Sequence, residues 1–149
     1  MKIETIKSCD IVDWLKLVRE VEPLFGPMIG MDGFQEHLAR VVNEGRAFGI
    51  RNDRGALCGV AVVSFENNEI EWLAVASRDR QNGFGEKLLR HAVNRLDAAK
   101  PITVQTFAAS VPAGIGARKL YEKCGFQEIE PADLNPAGLP TAILKRMPG

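Results

Sequence analysis

Residues 69–89 read EIEWLAVASRDRQNGFGEKLL, and this stretch decides the fold prediction. The run from Glu69 to Val75 is rich in the apolar and aromatic residues that favour a β-strand. Two glycines, Gly83 and Gly85, then open a segment in which apolar residues recur at helical spacing. The stretch therefore predicts a strand, a glycine-containing loop and a helix in direct succession.

The loop at residues 80–85 is suited to binding an anion. Glycine lets the backbone turn sharply and approach a ligand closely. The first N–H groups of a helix have no internal partner and lie at the positive end of its dipole. Residues 78–90, which surround this loop, have a local charge of +2. Four basic side chains outnumber two acidic ones: Arg78, Arg80, Lys87 and Arg90 against Asp79 and Glu86. We therefore predict a diphosphate site here.

Two well-known phosphate motifs do not fit this loop. A P-loop requires Lys-Ser/Thr after its last glycine, whereas Gly85 is followed by Glu86 and Lys87. A dinucleotide fingerprint requires a small residue three positions after Gly85, where Leu88 stands. The pattern that remains is Arg-x-x-Gly-x-Gly.

Composition narrows the class of protein. The chain has 149 residues, the size of one ordinary domain, which we assign to residues 1–149. Its formal net charge is zero, which argues against a nucleic-acid-binding or membrane-surface protein. The sequence has neither an apolar run long enough to span a membrane nor an apolar N-terminal leader, so we expect a cytoplasmic protein.

The cysteine pattern also fits the expectation of a cytoplasmic protein. The three cysteines, Cys9, Cys58 and Cys124, are odd in number and far apart. This pattern favours neither a disulfide framework nor a thiolate metal site, so we predict no metal and expect small, buried thiols. The two histidines, His37 and His91, have no partner at metal-ligand spacing and are expected as surface or core residues.

Hydrophobic periodicity predicts the element order β-α-α-β-β-β-α-β-α-β-β. The predicted strands are at 3–7, 47–50, 57–65, 69–75, 102–107, 126–129 and 141–145, and the predicted helices are at 11–24, 34–42, 85–99 and 113–123. Three hairpin-type strands followed by a strand-helix-strand crossover give an α/β fold, with a mixed sheet and helices on its faces.

A second stretch of sequence, after residues 69–89, also carries a recognisable pattern. Residues 117–126 read ARKLYEKCGF, which fits the pattern A-x-x-L-Y-x-x-x-G-F. Together with the strand Leu73-Ala74-Val75 and the loop 80–85, this segment resembles the GNAT superfamily of acyl-CoA N-acyltransferases over nearly the full length. The resemblance implies a mixed, mostly antiparallel sheet of six or seven strands flanked by about four helices, in a single N-acetyltransferase domain.

The resemblance also implies how acetyl-CoA would bind. Backbone groups of Leu73, Ala74 and Val75 would pair with the pantetheine arm like an added strand. The loop that Arg80 opens would cradle the pyrophosphate with the amides of Gln81, Asn82, Gly83, Phe84, Gly85 and Glu86. In this family the strands splay after a bulge, which opens a slot for the thioester. A backbone N–H near Leu73 would then stabilise the oxyanion.

Three side chains are candidates for catalysis. Tyr121, the only tyrosine, occupies the general-acid position that the resemblance implies. Full proton transfer from a phenol to a thiolate is uphill by roughly 2 kcal/mol, so a hydrogen bond to the leaving sulfur is the better-founded role. Glu69 and Glu71 are two apart on a strand and would share a face, where either could draw off the amine proton. We prefer Glu71, which is nearer the expected bulge.

Two features depart from the family pattern. Many members carry an asparagine seven residues before the tyrosine, where this chain has Gly114. Some members use a glutamate on the following strand, but residues 106–109 contain none. The first departure removes one expected cofactor contact.

The sequence thus predicts acetyl transfer from acetyl-CoA to a primary amine by direct attack in a ternary complex. The acceptor is a small-molecule amine or a peptide, and a homodimer is left open. A CoA-binding module without catalysis and a protein N-terminal or lysine acetyltransferase remain alternatives. The alternative interpretations are an ordinary turn for the loop 80–85, a packing aromatic for Tyr121 and solvated carboxylates for the two glutamates; the two segments together favour cofactor binding, and the family position of Tyr121 favours catalysis.

The apolar loop between the first two helices is a candidate wall for the acceptor. The apolar side chains of this loop either line an acceptor pocket, as in the family, or cap the core; they are Phe25, Met28, Ile29, Met31 and Phe34. The first of these interpretations predicts an acceptor with a hydrophobic part. Trp14 and Trp72 are expected as core or interface aromatics.

Overall fold

Seven strands and four helices make up the fold, in a computed structural model that describes residues 2–80 and 82–148. The strands are β1 (Ile3–Thr5), β2 (Ala47–Arg51), β3 (Leu57–Ser64), β4 (Glu69–Val75), β5 (Ile102–Phe107), β6 (Phe126–Ala132) and β7 (Thr141–Arg146). The helices are α1 (Ile11–Phe25), α2 (Phe34–Asn43), α3 (Phe84–Arg95) and α4 (Ile115–Lys123). The predicted element order is confirmed.

The strands form one sheet in the order β1-β2-β3-β4-β5-β7-β6. The neighbouring strands are antiparallel except for β4 and β5, which run parallel because α3 connects them. Strand β7 lies between β5 and β6, since the final hairpin returns to the edge of β5. The α/β class with a mixed, mostly antiparallel sheet is therefore as predicted.

The helices cover both faces of the sheet. Leu88 of α3 approaches Gly59 of β3, whereas Trp14 of α1 lies beside Val62 of the same strand. Successive side chains of a strand point to opposite faces, so α1 and α3 pack on opposite sides. Both helices turn a buried apolar stripe to the sheet, as their periodicity predicts.

Helix α3 ends earlier than predicted, at Arg95 instead of residue 99. The side chain of Asn68, in the turn between β3 and β4, accepts a hydrogen bond from the Asp97 N–H at 2.8 Å. It also donates to the carbonyl oxygens of Asp97 and Pro101, both at 3.0 Å. These three hydrogen bonds fix the backbone of residues 97–101 in a non-helical conformation, so the helix ends before them.

Other boundaries also differ from the prediction. Strand β6 runs to Ala132 and includes Pro131, which an edge strand tolerates because it needs no donor on its outer side. The expectation of three buried thiols is wrong for Cys9, which is exposed in a short 3-10 turn, whereas Cys58 is buried and Cys124 half-buried. Over the described ranges, none of the helices is long and apolar enough to cross a membrane.

Candidate active site

A cleft of about 440 Å³ opens where β4 and β5 diverge. It lies among the end of β4, the loop before α3, the first turn of α3, one face of α4, the end of β5 and the last turns of α1. We call it the central cleft. Its lining residues are Val21, Leu24, Phe25, Leu73, Ala74, Val75, Asp79, Arg80, Gly83, Gly85, Glu86, Thr106, Phe107, Ala113, Gly116, Ala117, Leu120 and Tyr121.

The cleft exists because two parallel strands separate after a short contact. Strands β4 and β5 pair only through Glu69 with Thr103 and Ile70 with Val104. Beyond that point β4 stays paired with β3 on one edge, and its other edge borders the cleft. The register of this pair shifts between Val62 and Val63, which leaves Glu71 as the extra residue of a β-bulge. The splayed strands and the bulge that the resemblance implies are both present.

The N-terminus of α3 faces this cleft. Gly83 precedes the helix with a left-handed φ of 80° and has no capping side chain. The first N–H groups of the helix, from Phe84 to Glu86, have no acceptor within the helix. A side chain at Gly85 would meet Leu120 at 3.1 Å, so glycine lets α3 and α4 approach closely here. The result is a set of backbone donors at the positive end of a helix dipole.

Charged side chains in and next to this loop form hydrogen bonds within the protein. Arg80 Nε donates to the Val75 carbonyl at 3.2 Å and so ties the loop back to the end of β4. The Glu86 carboxylate accepts hydrogen bonds from Lys123 at 2.8 Å and from Arg90 at 2.9 Å. These two contacts lower the pKa of Glu86 and offset its negative charge at the helix N-terminus.

Asp79 is a buried member of the cleft that the sequence analysis did not single out. It is only 6% exposed, and its Oδ1 accepts a hydrogen bond from Asn52 at 3.3 Å. Its Oδ2 lies 3.5 Å from Arg78 Nε but has no hydrogen-bond partner among the described residues. A charged residue in a polar loop carries no sequence signal of burial, so this position could not be found from pattern alone.

Tyr121 is the predicted catalytic residue that lies directly on the cleft. It is 3% exposed, and its ring packs edge-on against Phe126 with centroids 5.6 Å apart. Burial raises the pKa of the phenol, so the hydroxyl stays protonated and able to donate a hydrogen bond. Arg118 fixes the same helix by donating to the Phe107 carbonyl at 3.1 Å and pairing with Glu128 at 3.0 Å.

The two glutamates of β4 lie away from the central cleft. Glu71 borders a second cavity of about 200 Å³, while Glu69 lines neither space. Arg46 Nη1 lies 2.6 Å from Glu71 Oε1 and also donates to the Val63 carbonyl at 2.9 Å. Burial raises the pKa of Glu69, and the charge of Glu71 raises it further. The bulge lies where the family resemblance led us to expect it, whereas the contact of Glu71 with Arg46, 25 positions earlier in the chain, was not predicted.

The cofactor residues predicted from sequence divide into three groups. Those that line the cleft are Leu73, Ala74, Val75, Arg80, Gly83, Gly85 and Glu86. Asn82 is exposed, and the side chain of Phe84 is buried in the core. Gln81 lies outside the described residues. The wall that α1 contributes through Val21 and Leu24 was not part of the prediction, whereas Phe25 was one of the candidate acceptor-pocket residues.

The loop between α1 and α2 is held by one carboxylate. Glu22 accepts the backbone N–H groups of Met28 at 2.6 Å and Ile29 at 2.9 Å, which lowers its pKa. Met28 and Phe34 line the second cavity, whereas Phe25 lines the central cleft. The loop residue Met31 is exposed.

Comparison with known proteins assigns the family. The sequence profile of the acetyltransferase (GNAT) domain matches residues 43–128, which is more than half of the chain. The chain therefore belongs to the GNAT acetyltransferase family and is an acyltransferase. The matched range includes the loop before α3 and the Tyr121 segment. A search of curated proteins finds no match.

Solved structures share the fold at low identity. A GNAT-family acetyltransferase from Bacillus cereus ATCC 10987 is 15% identical, with 98% of this chain and 96% of that chain covered and a TM-score of 0.73. The ribosomal-protein-S18-alanine N-acetyltransferase from Escherichia coli is 16% identical, with 99% and 94% covered and a TM-score of 0.73. A phosphinothricin acetyltransferase from Sinorhizobium meliloti, in complex with AcCoA, is 19% identical, with 99% and 88% covered and a TM-score of 0.73.

Proposed function

We propose that this protein transfers the acetyl group of acetyl-CoA to a primary amine by direct attack in a ternary complex. The observation that carries the proposal is the convergence of two separate sequence segments on one cleft. The glycine loop brings backbone donors to this cleft, and the helix that carries Tyr121 brings a neutral phenol to the same space. A CoA-dependent acyltransferase needs a diphosphate site and a hydrogen-bond donor for the leaving sulfur in one cleft, separated by the length of the pantetheine arm.

The residues present fit acetyl-CoA as the acetyl donor. When bound, acetyl-CoA supplies an activated thioester. The N–H groups from Gly83 to Glu86 would hold its diphosphate, since they lie at a helix N-terminus whose nearby carboxylate is already paired. The edge of β4 from Leu73 to Val75 would hold the extended arm by backbone hydrogen bonds. The single-domain organisation over residues 1–149 and the residue roles are parts of this proposal.

Tyr121 would serve the leaving sulfur as a hydrogen-bond donor. Its pKa is raised by burial, so the phenol keeps its proton throughout the neutral range. A hydrogen bond to sulfur strengthens as negative charge develops there, which stabilises the transition state more than the ground state. The edge-on contact with Phe126 holds the ring in place for this role.

The acceptor must lose a proton before it attacks. An amine with a pKa of about 10.4 costs about 4.6 kcal/mol to deprotonate at pH 7. Glu71 borders the second cavity and would attract the ammonium group with Oε2, since its Oε1 is bonded to Arg46. Glu69, whose pKa is raised by burial and by Glu71, is the better final acceptor of the proton, which would reach it through water because Glu69 lines neither the central cleft nor the second cavity. The sequence analysis preferred Glu71 as the base, and the proposal instead divides the roles between the two glutamates.

An assay of thiol release tests this proposal. Wild-type protein is given acetyl-CoA with a panel of primary amines and of peptides with free N-termini or lysines. We expect release that depends on the amine, intersecting double-reciprocal plots, and a rate in Tyr121→Phe that is lower by about 10²–10⁴-fold. Acetyl-CoA at 100 times its Kd should stabilise both proteins by about 2.7 kcal/mol.

The outcomes separate the alternatives. Stabilisation by acetyl-CoA without thiol release would identify a CoA-binding module without catalysis. Turnover with peptides alone would identify a protein acetyltransferase. An unchanged melting temperature with millimolar acetyl-CoA would contradict every CoA-dependent function.

A further inference from the structure

The side chain of Arg46 joins three separate parts of the chain at the bulge of β4. Its Nη1 donates to the Val63 carbonyl at 2.9 Å and to Glu71 Oε1 at 2.6 Å. Its Nε donates to Glu44 Oε1 at 2.8 Å. The Arg46 side chain is 15% exposed, whereas that of Glu71 is 31% exposed and that of Glu44 is 52% exposed. The guanidinium is therefore held in one orientation by three acceptors.

The main chain of Arg46 is fixed independently of Glu71. Its N–H donates to the Val41 carbonyl in the last turn of α2 at 3.1 Å, and its carbonyl accepts from the Val63 N–H at 2.9 Å. In a regular antiparallel pair the Arg46 N–H would also donate to the Val63 carbonyl. Because that N–H is used by α2, the guanidinium takes its place. Arg46 is thus anchored on β3 before it contacts the carboxylate on β4.

Glu71 needs such a contact because it is the extra residue of the bulge. The shifted register leaves Glu71 without a partner on β3. Strand pairing therefore does not set its local geometry. A glutamate side chain has many rotamers, and ordering it on a ligand costs affinity. The bond from Arg46 uses Oε1 and removes this freedom, while Oε2 is left for a further donor.

The charge around Arg46 remains negative. Its guanidinium lies between the carboxylates of Glu44 and Glu71, so the three side chains have a net charge of −1. A single pair of Arg46 with Glu71 would be neutral and would attract a cation weakly. Glu44 shares the positive charge of Arg46, and Glu71 therefore keeps part of its attraction for an ammonium group.

We propose that Arg46 is a positioning residue for the acceptor: it holds the Glu71 carboxylate by Oε1 and presents Oε2 to the ammonium group of the amine. This inference rests on the proposed function, in which Glu71 attracts that group. Glu71 borders the second cavity and Arg46 does not, so Arg46 acts through Glu71 instead of touching the acceptor. A carboxylate that is already ordered binds a ligand at a smaller loss of entropy.

A matched pair of probes separates this role from a merely structural one. The probes are 2-phenylethylamine and 2-phenylethanol, which share an apolar group and differ in the cation. Both tryptophans of the chain line the second cavity, so tryptophan fluorescence reports on binding there without acetyl transfer. The measured quantity is the preference for the amine over the alcohol, given by the ratio of the two Kd values.

We expect wild type to bind the amine about tenfold more tightly than the alcohol. In Arg46→Gln this preference should shrink to about threefold or less, although the protein becomes more negative, while affinity for the alcohol stays within about twofold. Glu71→Gln should abolish the preference, and Arg46→Gln should lower it no further in that background. Arg40→Gln, which removes an exposed arginine of α2, is the charge-matched control and should keep the preference.

The possible failures are distinguishable. An unchanged or larger preference in Arg46→Gln, as expected if Arg46 only weakens the charge of Glu71, would overturn the inference. Equal weakening of amine and alcohol would also overturn it, because a damaged cavity affects both probes alike. So would a lack of amine binding by wild type. The expected binding pattern without thiol release from acetyl-CoA would support the role of Arg46 and contradict the proposed acetyl transfer instead.

Discussion

Gly114 packs directly against the side chain of Phe107. A Cβ atom at Gly114 would lie 2.4 Å from the Phe107 Cβ and 2.8 Å from its Cγ, which is closer than real side chains approach. Phe107 lines the central cleft, so this contact brings the start of α4 against the cleft wall. Many members of the family carry an asparagine at this position. In this chain an asparagine side chain would collide with Phe107 unless Phe107 moved.

Substitution of Gly114 should therefore destabilise the protein. We expect Gly114→Ala and Gly114→Asn to lower the free energy of unfolding by about 1–3 kcal/mol through overpacking against Phe107. Gly116→Ala is the matched control, because a Cβ there meets nothing within 4 Å and alanine favours the helix. Thermal unfolding followed by circular dichroism measures both, and a Gly114→Ala variant as stable as wild type would refute this packing account.

The buried phenol predicts an unusual alkaline titration. Burial raises the pKa of Tyr121, which is the only tyrosine, so phenolate absorbance reports on this residue alone. The folded protein should show no phenolate as the pH passes about 10, whereas the denatured chain should titrate there. Because the folded state holds the proton more tightly, its stability should decline as the pH rises above about 10. Ordinary titration in the folded protein would show that the phenol is accessible to water.

The glutamates of β4 should be separable by their pH profiles. The raised pKa of Glu69 predicts an acidic limb in kcat/KM at a higher pH than an ordinary carboxylate gives. Glu69→Gln should lower the rate and remove this limb. Glu71→Gln should move the limb to lower pH, since one cause of the raised pKa of Glu69 is then gone. Identical profiles in wild type and both variants would exclude this pair from proton transfer.

Glu22 should hold the loop between α1 and α2 in a pH-dependent way. Hydrogen bonds from the N–H groups of Ile29 and Met28 lower its pKa in the folded state. The stability that it contributes should therefore be complete above the ordinary glutamate pKa of about 4.5 and be lost as the pH falls through the lowered value. Melting temperatures of Glu22→Ala should thus fall below wild type at neutral pH and converge with it in acid. Glu122→Ala, on the exposed face of α4, is the control, and an equal change in both variants would contradict the contact.

Local pattern was enough for much of the fold. The bounds of β4 and β5 were predicted correctly, because both strands are bounded by turn residues and their apolar content is local information. The end of α3 was not predicted correctly, because it depends on hydrogen bonds between Asn68 and Asp97, which are 29 positions apart. The placement of β7 between β5 and β6 likewise depends on tertiary pairing rather than on periodicity.

In the candidate site, too, local pattern predicted some features, whereas long-range contacts determine the others. The glycine loop and Tyr121 were found because each lies in a contiguous pattern. The bulge near Glu71 was expected from the family resemblance, but the ion pair of Glu71 with Arg46 depends on the register between strands, which alternation along one strand does not encode. The burial of Asp79 runs against its residue type, and the aromatic contact of Phe25 with Phe107 joins two cleft-lining residues that are far apart in the sequence.

The central claim is that the N–H groups opening α3 bind the diphosphate of coenzyme A. A crystal structure of the protein with coenzyme A tests it most directly. We predict diphosphate oxygens within about 2.7–3.2 Å of the amide nitrogens between Gly83 and Glu86, with the arm along the edge of β4 at Leu73 to Val75. Coenzyme A bound elsewhere, or this end of α3 filled by the protein's own side chains with ligand in excess, would contradict it.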